Sequence, residues 1–166
     1  MGSGLKSSAS LDRAKERYSE DMKIYLDTST LNRIFDDRSQ LRIALEVKAV
    51  ESILTLIDSK HLQVYHSDAL AYEISKNPYS DRRQIIMKIL KRYDGYQPLN
   101  PSILERANFL QDNCKLGDID ALHVACAEAM SVDYFITCDD RLIKRYLGSI
   151  VLLNPIQFIL NLTQEE

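Results

Sequence analysis

The sequence predicts a single α/β domain in which a parallel sheet is flanked by helices on both faces. Two observations support this class. Short apolar runs of strand length recur along the chain, and the longer segments between them carry apolar residues at helical spacing. Strands that alternate with helices pair in parallel, and the helices cover both faces of the sheet. With 166 residues, of which 45% are apolar, and only 5 Gly and 4 Pro, the chain suits one compact domain.

Five apolar runs are the predicted strands: KIYL at 23–26, LQVYH at 62–66, YQPL at 96–99, YFIT at 134–137 and IVLL at 150–153. Helical spacing predicts helices at 28–35, 41–57, 68–76, 80–93, 101–114, 118–130, 139–147 and from 155 onward. Capping residues mark several helix starts: Asn100 and Asn154 each precede a proline, and either Ser67 or Asp68 caps the third helix. Gly95 is expected to end the helix that begins at Ser80.

The domain is predicted to cover residues 22–166, whereas residues 1–21 are an N-terminal extension or an expression remnant. Those first residues are rich in Ser and charge and lack the apolar core of a secretory signal, and no later stretch has the length of a membrane span. The 3 cysteines show no CxxC spacing, which indicates neither a zinc site nor a disulfide framework. We therefore expect a cytoplasmic protein.

Four acidic residues accompany the predicted strands: Asp27, Glu73, Asp120 and Asp139. Asp27 directly follows KIYL, and Asp139 lies two residues after YFIT, so both fall where parallel α/β sheets form their sites. Carboxylates that gather without matching basic residues repel one another and require a cation. Divalent metal chemistry is the leading interpretation, and a net charge of -3 does not exclude an RNA substrate.

Each acid also has an ordinary structural explanation. Asp27 is a suitable helix cap, and Glu73 is a suitable solvent-facing acid near the favourable end of the helix dipole. Asp118 and Asp140 compete with Asp120 and Asp139 for capping. Among apolar neighbours an unpaired Asp120 would be costly. His123, one helical step from Asp120, is expected to be a packed or hydrogen-bonded histidine rather than a site residue.

Read in order, the segments MKIYLDTS, ALAYEISKN, DALHVA and ITCDDRLIK resemble the PIN domain family, in particular its VapC-like toxin ribonucleases. The resemblance covers Met22 to about Leu160. It implies that Asp27, Glu73, Asp120 and Asp139 are both the catalytic residues and the metal ligands of an endoribonuclease that uses Mg²⁺ or Mn²⁺. Asp140 is a possible helper.

The resemblance also implies hydroxyl groups that orient the acids, from Thr28 or Ser29 and from Thr137. It implies an RNA substrate, a protein antitoxin as partner, a homodimer and no membrane association. Two exposed basic stretches are candidates for phosphate contacts: Lys88, Lys91 and Arg92, and Arg141, Lys144 and Arg145.

Several rival interpretations remain beside the toxin. No GxGxxG follows a strand, which weakens a dinucleotide-binding module, and Ser29 stands where an aspartyl phosphatase needs a second acid. A stand-alone RNA-processing nuclease and a non-catalytic PIN-like binding module stay open.

Overall fold

The computed structural model describes residues 22–164. Five strands form one sheet: β1 (Lys23–Leu26), β2 (Gln63–Ser67), β3 (Gly95–Gln97), β4 (Tyr134–Ile136) and β5 (Val151–Leu153). Their order is β3-β2-β1-β4-β5, and every pair is parallel. The predicted α/β class is therefore confirmed. The proposed division at Met22 stays a prediction, because residues 1–21 lie outside the described part of the chain.

Within residues 22–164, eight α-helices connect and cover these strands. They are α1 (Thr28–Asn32), α2 (Leu41–Asp58), α3 (Asp68–Ser75), α4 (Ser80–Ile89), α5 (Pro101–Cys114), α6 (Asp118–Ala129), α7 (Asp140–Arg145) and α8 (Pro155–Thr163), and a short 3₁₀ turn at Arg33–Phe35 extends α1. In the part of the chain described, no helix is long and apolar enough to cross a membrane.

Helices lie on both faces of the sheet, as the two neighbouring aromatic residues of β4 demonstrate. The Phe135 ring stacks on Tyr25 at 5.1 Å, and Tyr25 meets His123 of α6 edge to face. Tyr134 instead meets Phe158 of α8. Since successive side chains of a strand point to opposite faces, α6 and α8 cover different sides of the sheet.

The sheet changes its direction of winding between β1 and β4. The chain runs from β1 outward to β2 and β3, then crosses back to β4 and β5 on the other side. The carboxyl ends of β1 and β4 therefore flank the switch point at which open α/β sheets form their sites. Asp27 and Thr137 come directly after these two strands.

Capping side chains start the helices at most of the predicted places. Asn100 accepts from the Ile103 amide at 2.9 Å, and Asn154 accepts from the Ile156 amide at 2.8 Å. Ser67, rather than Asp68, caps α3. These side chains satisfy amides that have no partner within the helix.

The predicted helix 80–93 is too long, because α4 ends at Ile89. The Asp94 amide donates to the Val64 carbonyl at 2.9 Å, and Asp94 Oδ2 accepts from the Val64 amide at 2.9 Å. Because these two hydrogen bonds tie Asp94 to β2, the helix ends before the residue that the sequence predicted. Gly95 is thus the first residue of β3 rather than a helix stop, and a Cβ there would lie 2.4 Å from the Tyr65 ring.

The third strand is likewise shorter than the predicted run 96–99, because it ends at Gln97. Pro98 has no amide proton for the sheet, and the Leu99 amide donates to Asp68 Oδ2 at 2.8 Å. The predicted run YQPL extends two residues beyond the end of β3 at Gln97, so the sequence pattern does not indicate where this strand ends.

A fully buried carboxylate, Glu46, ties α2 to the neighbouring elements. Its oxygens lie 3.1 Å from Arg33 Nε and 3.5 Å from Arg42 Nε, and Asn154 Nδ2 donates to it at 2.5 Å. Glu46 thus combines ion pairs with Arg33 and Arg42 and a hydrogen bond from Asn154.

Candidate functional site

Asp27 caps α1 at the switch point and is only 4% exposed. Its Oδ1 accepts from the Thr30 amide at 3.1 Å and from Ser29 Oγ at 2.7 Å, while Oδ2 accepts from Thr137 Oγ1 at 2.6 Å. Burial nevertheless raises the pKa of the Asp27 carboxyl above its usual value. Asp27 is thus a helix cap and, at the same time, a buried carboxylate whose charge is costly.

The hydroxyl group of Thr137 connects Asp139 with Asp27. The Asp139 amide donates to Thr137 Oγ1 at 3.0 Å, and the same hydroxyl donates to Asp27. Asp139 Oδ1 caps α7 by accepting from the amides of Arg141 at 2.9 Å and Leu142 at 3.3 Å. Thr137 therefore couples the first and the last of the four acids.

Asp140 points away from these acids and pairs with Arg42. Its Oδ1 accepts from Arg42 Nη2 at 2.7 Å, and its side chain is 63% exposed. The hydrogen bond and charge of Arg42 lower the pKa of the Asp140 carboxyl. Of the two adjacent acids, Asp139 is the one whose charge helps to raise the pKa of Asp120.

Asp120 lies half-buried in the first turn of α6, close to the other three acids. Burial, and then the charges of Asp139, Asp27 and Glu73, raise its pKa to about 6. Asp118, in the same turn, is exposed, and its Oδ1 accepts from the Ile119 amide at 2.9 Å. The four acids thus interact electrostatically, and Asp118 is not one of them.

Glu73 lies in the last turn of α3. It is therefore not near the start of the helix, where the helix dipole would favour a solvent-facing acid. A carboxylate at the negative end of a helix dipole is disfavoured, so it needs donors. Thr28 Oγ1 donates to Glu73 Oε1, and His123 Nε2 lies 2.7 Å from the same oxygen. These contacts hold Glu73 beside Asp27.

His123 is packed and hydrogen-bonded, as the sequence predicts, but its partner is the candidate acid Glu73, which the sequence did not indicate. It is 1% exposed, lies against Glu73 through Nε2, and contacts the Tyr25 hydroxyl through Nδ1 at 2.7 Å. The only available signal was its position three residues after Asp120, on the same side of α6. A contact with Glu73, 50 residues earlier, could not be read from that spacing.

The four acids do not yet form a complete metal-binding arrangement. Within residues 22–164, no three His, Cys, Asp or Glu side chains are grouped closely enough to hold a metal ion. Over the same residues, no Lys or Arg forms an ion pair with any of the four acids. The region is therefore a cluster of interacting carboxylates that has a histidine beside Glu73 but no lysine or arginine partner among the described residues.

Basic side chains lie outside this cluster. Arg141 and Lys144 are exposed on α7, the helix that Asp139 caps, and Arg145 donates to the Lys115 carbonyl at 3.2 Å. The other predicted basic stretch, on α4 and just beyond it, is exposed as well. The α7 residues are the ones that adjoin a candidate acid.

Comparison with protein families identifies the fold around these acids. The profile of the PIN domain matches residues 24–147, which include Asp27, Glu73, Asp120 and Asp139. This match covers most of the chain. The chain belongs to the PIN domain family.

Solved structures with this PIN fold include VapC toxins. VapBC2 from Rickettsia felis, in a crystal structure bound to a DNA fragment of its promoter, has a TM-score of 0.57 and 16% identity, covering 80% of this chain and 98% of that one. VapC20 from Mycobacterium tuberculosis, a toxin that cleaves the sarcin-ricin loop, has a TM-score of 0.53 and 15% identity, with coverage of 76% and 98%. A Pyrobaculum aerophilum protein also has a TM-score of 0.53 and 15% identity, with coverage of 85% and 96%. Comparison with curated protein sequences gives no match.

Proposed function

We propose that this PIN domain protein is an endoribonuclease that depends on Mg²⁺ or Mn²⁺ and acts as the toxin of a VapBC-like toxin–antitoxin pair. The observation that carries the proposal is the proximity of Asp27, Glu73, Asp120 and Asp139: burial, and then the charges of the other three acids, raise the pKa of Asp120 to about 6. Like charges kept together at the switch point of the sheet are costly unless a cation joins them.

The donor set fits a hard divalent cation. All four groups are carboxylates, and oxygen ligands suit Mg²⁺ and Mn²⁺ better than softer metals. Within residues 22–164, no Lys or Arg forms an ion pair with any of them. Small side-chain rotations are required for binding, since the acids do not form a ready-made group.

The metal would supply a water of lowered pKa and polarise the scissile phosphate. The chain would contribute orientation. Ser29 and Thr137 fix the two oxygens of Asp27 by donating to them at 2.7 and 2.6 Å. Thr137 also accepts from the Asp139 amide, so one hydroxyl holds two of the proposed ligands in a defined relation.

Substrate phosphates need cations beside the acidic cluster rather than within it. Arg141 and Lys144 are exposed on α7, directly after Asp139, and are our candidates for holding the RNA backbone. Lys88 on α4, and Lys91 and Arg92 just beyond it, are equally well explained as a solvated surface.

The restrained toxin is favoured over a stand-alone nuclease because two of the structural neighbours are VapC toxins and one of these structures contains a VapB–VapC pair. An antitoxin could neutralise the acids with an Arg or Lys, since contacts between ionised groups are strong. The partner binds, in this proposal, at the rim of the acidic cluster.

Cleavage of RNA in vitro tests the enzymatic part. Purified protein should cut RNA with Mg²⁺ or Mn²⁺ and stop in EDTA, and Asp27→Asn should not cut in either metal. Equal cutting by metal-free protein, once contaminating nuclease has been removed, would contradict the metal-dependent mechanism.

Controlled expression tests the toxin part. Wild-type protein should arrest growth of its host, Asp27→Asn should not, and co-expression of the neighbouring small gene product should restore growth. Harmless expression of an active nuclease would favour a stand-alone RNA-processing enzyme instead.

A further inference from the structure

A chain of buried hydrogen bonds leads from the centre of the sheet to Glu73. Tyr25, in the central strand β1, is fully buried, and its hydroxyl lies 2.6 Å from Ser67 Oγ and 2.7 Å from His123 Nδ1. His123 Nε2 lies 2.7 Å from Glu73 Oε1. The chain thus connects β1, β2, α6 and α3 through side chains alone.

The donors in this chain can be assigned in one consistent direction. An ionised carboxylate only accepts, so His123 Nε2 donates to Glu73, and in a neutral imidazole Nδ1 then accepts. The Tyr25 hydroxyl therefore donates to Nδ1, and its oxygen accepts from Ser67. Ser67 Oγ in turn accepts from the Leu70 amide at 3.1 Å.

The environment fixes the Tyr25 hydroxyl in place. Tyr25 is fully buried on the central strand, and its hydroxyl is the donor that the imidazole Nδ1 needs. The ring is also fixed, since it stacks on Phe135 at 5.1 Å with an angle of 9°. A fixed donor on a central strand gives the imidazole a single orientation.

Both donors to Glu73 act on the same oxygen. His123 and Thr28 contact Oε1, and within residues 22–164 no hydrogen bond reaches Oε2. The Glu73 side chain is 36% exposed, although it stands at the unfavourable end of α3. One oxygen is therefore held by the protein while the other stays available to an outside ligand.

We propose that Tyr25 and His123 are positioning residues that hold Glu73 Oε1 so that Oε2 is presented to the divalent cation. This proposal rests on the proposed metal-dependent function. Partners that orient a ligand in this way are commonly worth 10- to 100-fold in metal affinity. The fold positions the pair rigidly, because Tyr25 belongs to the central strand and His123 to a helix packed on it.

Calorimetric titration of Mn²⁺ into the full chain tests the proposal without using RNA. His123→Leu removes the donor to Glu73 and should weaken Mn²⁺ binding by about 10-fold or more, whereas His123→Gln retains an N–H donor and should recover part of that loss. Tyr25→Phe keeps the stacked ring but frees the imidazole, and it should weaken binding several-fold.

Tyr146→Phe is the matched control. Tyr146 is also buried, and its hydroxyl donates to a carboxylate, Glu128, at 2.6 Å, away from the four acids. Its removal should lower the midpoint of urea unfolding about as much as Tyr25→Phe does, yet leave Mn²⁺ affinity unchanged. A purely structural role for Tyr25 predicts the same affinity in both variants.

The outcomes distinguish a failure of the positioning role from a failure of the proposed metal-dependent function. A wild type that neither binds Mn²⁺ nor cuts RNA overturns the proposed function and this proposal with it. A wild type that does both, beside a His123→Leu that binds Mn²⁺ equally well, overturns the positioning role alone. If His123→Leu fails to fold, the comparison of Tyr25→Phe with Tyr146→Phe decides, and equal affinities overturn the positioning role.

Discussion

Asp120→Asn should make the protein more stable at neutral pH when no divalent metal is present. Burial and three neighbouring acids raise the pKa of Asp120 from 3.8 to about 6. A difference of about 2 pKa units corresponds to about 3 kcal/mol. Because the side chain is partly exposed, solvent screening reduces this figure, and we expect a gain of about 1–2 kcal/mol for Asp120→Asn.

The sign of the pH dependence follows from the raised pKa. Relative to the unfolded chain, the folded protein binds the Asp120 proton more tightly, so this group contributes stability that is fully present below pH 3.8. That contribution is lost as pH rises through about 6. The difference in stability between the wild type and Asp120→Asn should therefore be clearly smaller near pH 4.5 than at pH 7.5.

Urea unfolding in EDTA at those two pH values measures the difference. Asp118→Asn is the control, because Asp118 occupies the same first turn but is exposed, and its loss should cost only a few tenths of a kcal/mol at both pH values. If Asp120→Asn were no more stable than the wild type at pH 7.5, the reasoning about mutually repelling acids would be refuted.

Three further predictions concern individual acids. Asp27→Asn should abolish RNA cleavage. The far-UV circular dichroism spectrum should stay unchanged and the urea midpoint should not fall, since asparagine preserves the helix cap and removes a buried charge. A variant that loses activity only because it unfolds would show that Asp27 is a structural cap. In the same RNA assay, Asp139→Asn should abolish cleavage, whereas Asp140→Asn should retain it because Asp140 is paired with Arg42. The reverse result would show that Asp140, not Asp139, belongs to the site. Glu46→Ala should cost about 1–3 kcal/mol in urea unfolding, because the buried Arg33 Nε and Asn154 Nδ2 lose their carboxylate partner. Glu51→Ala, whose partner Arg38 lies 3.8 Å away at the surface, should cost under about 1 kcal/mol, and similar losses in the two variants would contradict the burial argument.

The sequence predicted most of the fold because its information is local. Apolar runs and caps such as Asn100 and Asn154 act on neighbouring residues, so helix starts and strand positions could be read directly. The ends of α4 and β3 could not be, since Asp94 and Leu99 are drawn to partners some 30 residues away. Periodicity carries no signal for such bonds.

The sequence predicted which acidic residues would approach one another, but it did not predict the contacts that support them. Carboxylates beside strand ends can be assigned to one edge of the sheet as soon as the strands are taken as parallel. The donors to Glu73 come from different elements, so only the folded arrangement brings Thr28 and His123 to one oxygen. The burial of Glu46 is likewise a tertiary effect, because its position on α2 resembles that of any other charged helix residue.

Mg²⁺ titration followed by two observables on the same samples tests the central claim most directly. Over one concentration series, the initial rate of RNA cleavage and the rise in melting temperature should increase together in the wild type, because a ligand that binds only the folded state stabilises it. In Asp120→Asn both responses should move to higher Mg²⁺ or disappear, whereas in Asp118→Asn both should stay close to wild type. Full cleavage without Mg²⁺, or cleavage that rises with Mg²⁺ while Asp120→Asn retains the wild-type stabilisation, would contradict the claim that these four acids bind the catalytic metal.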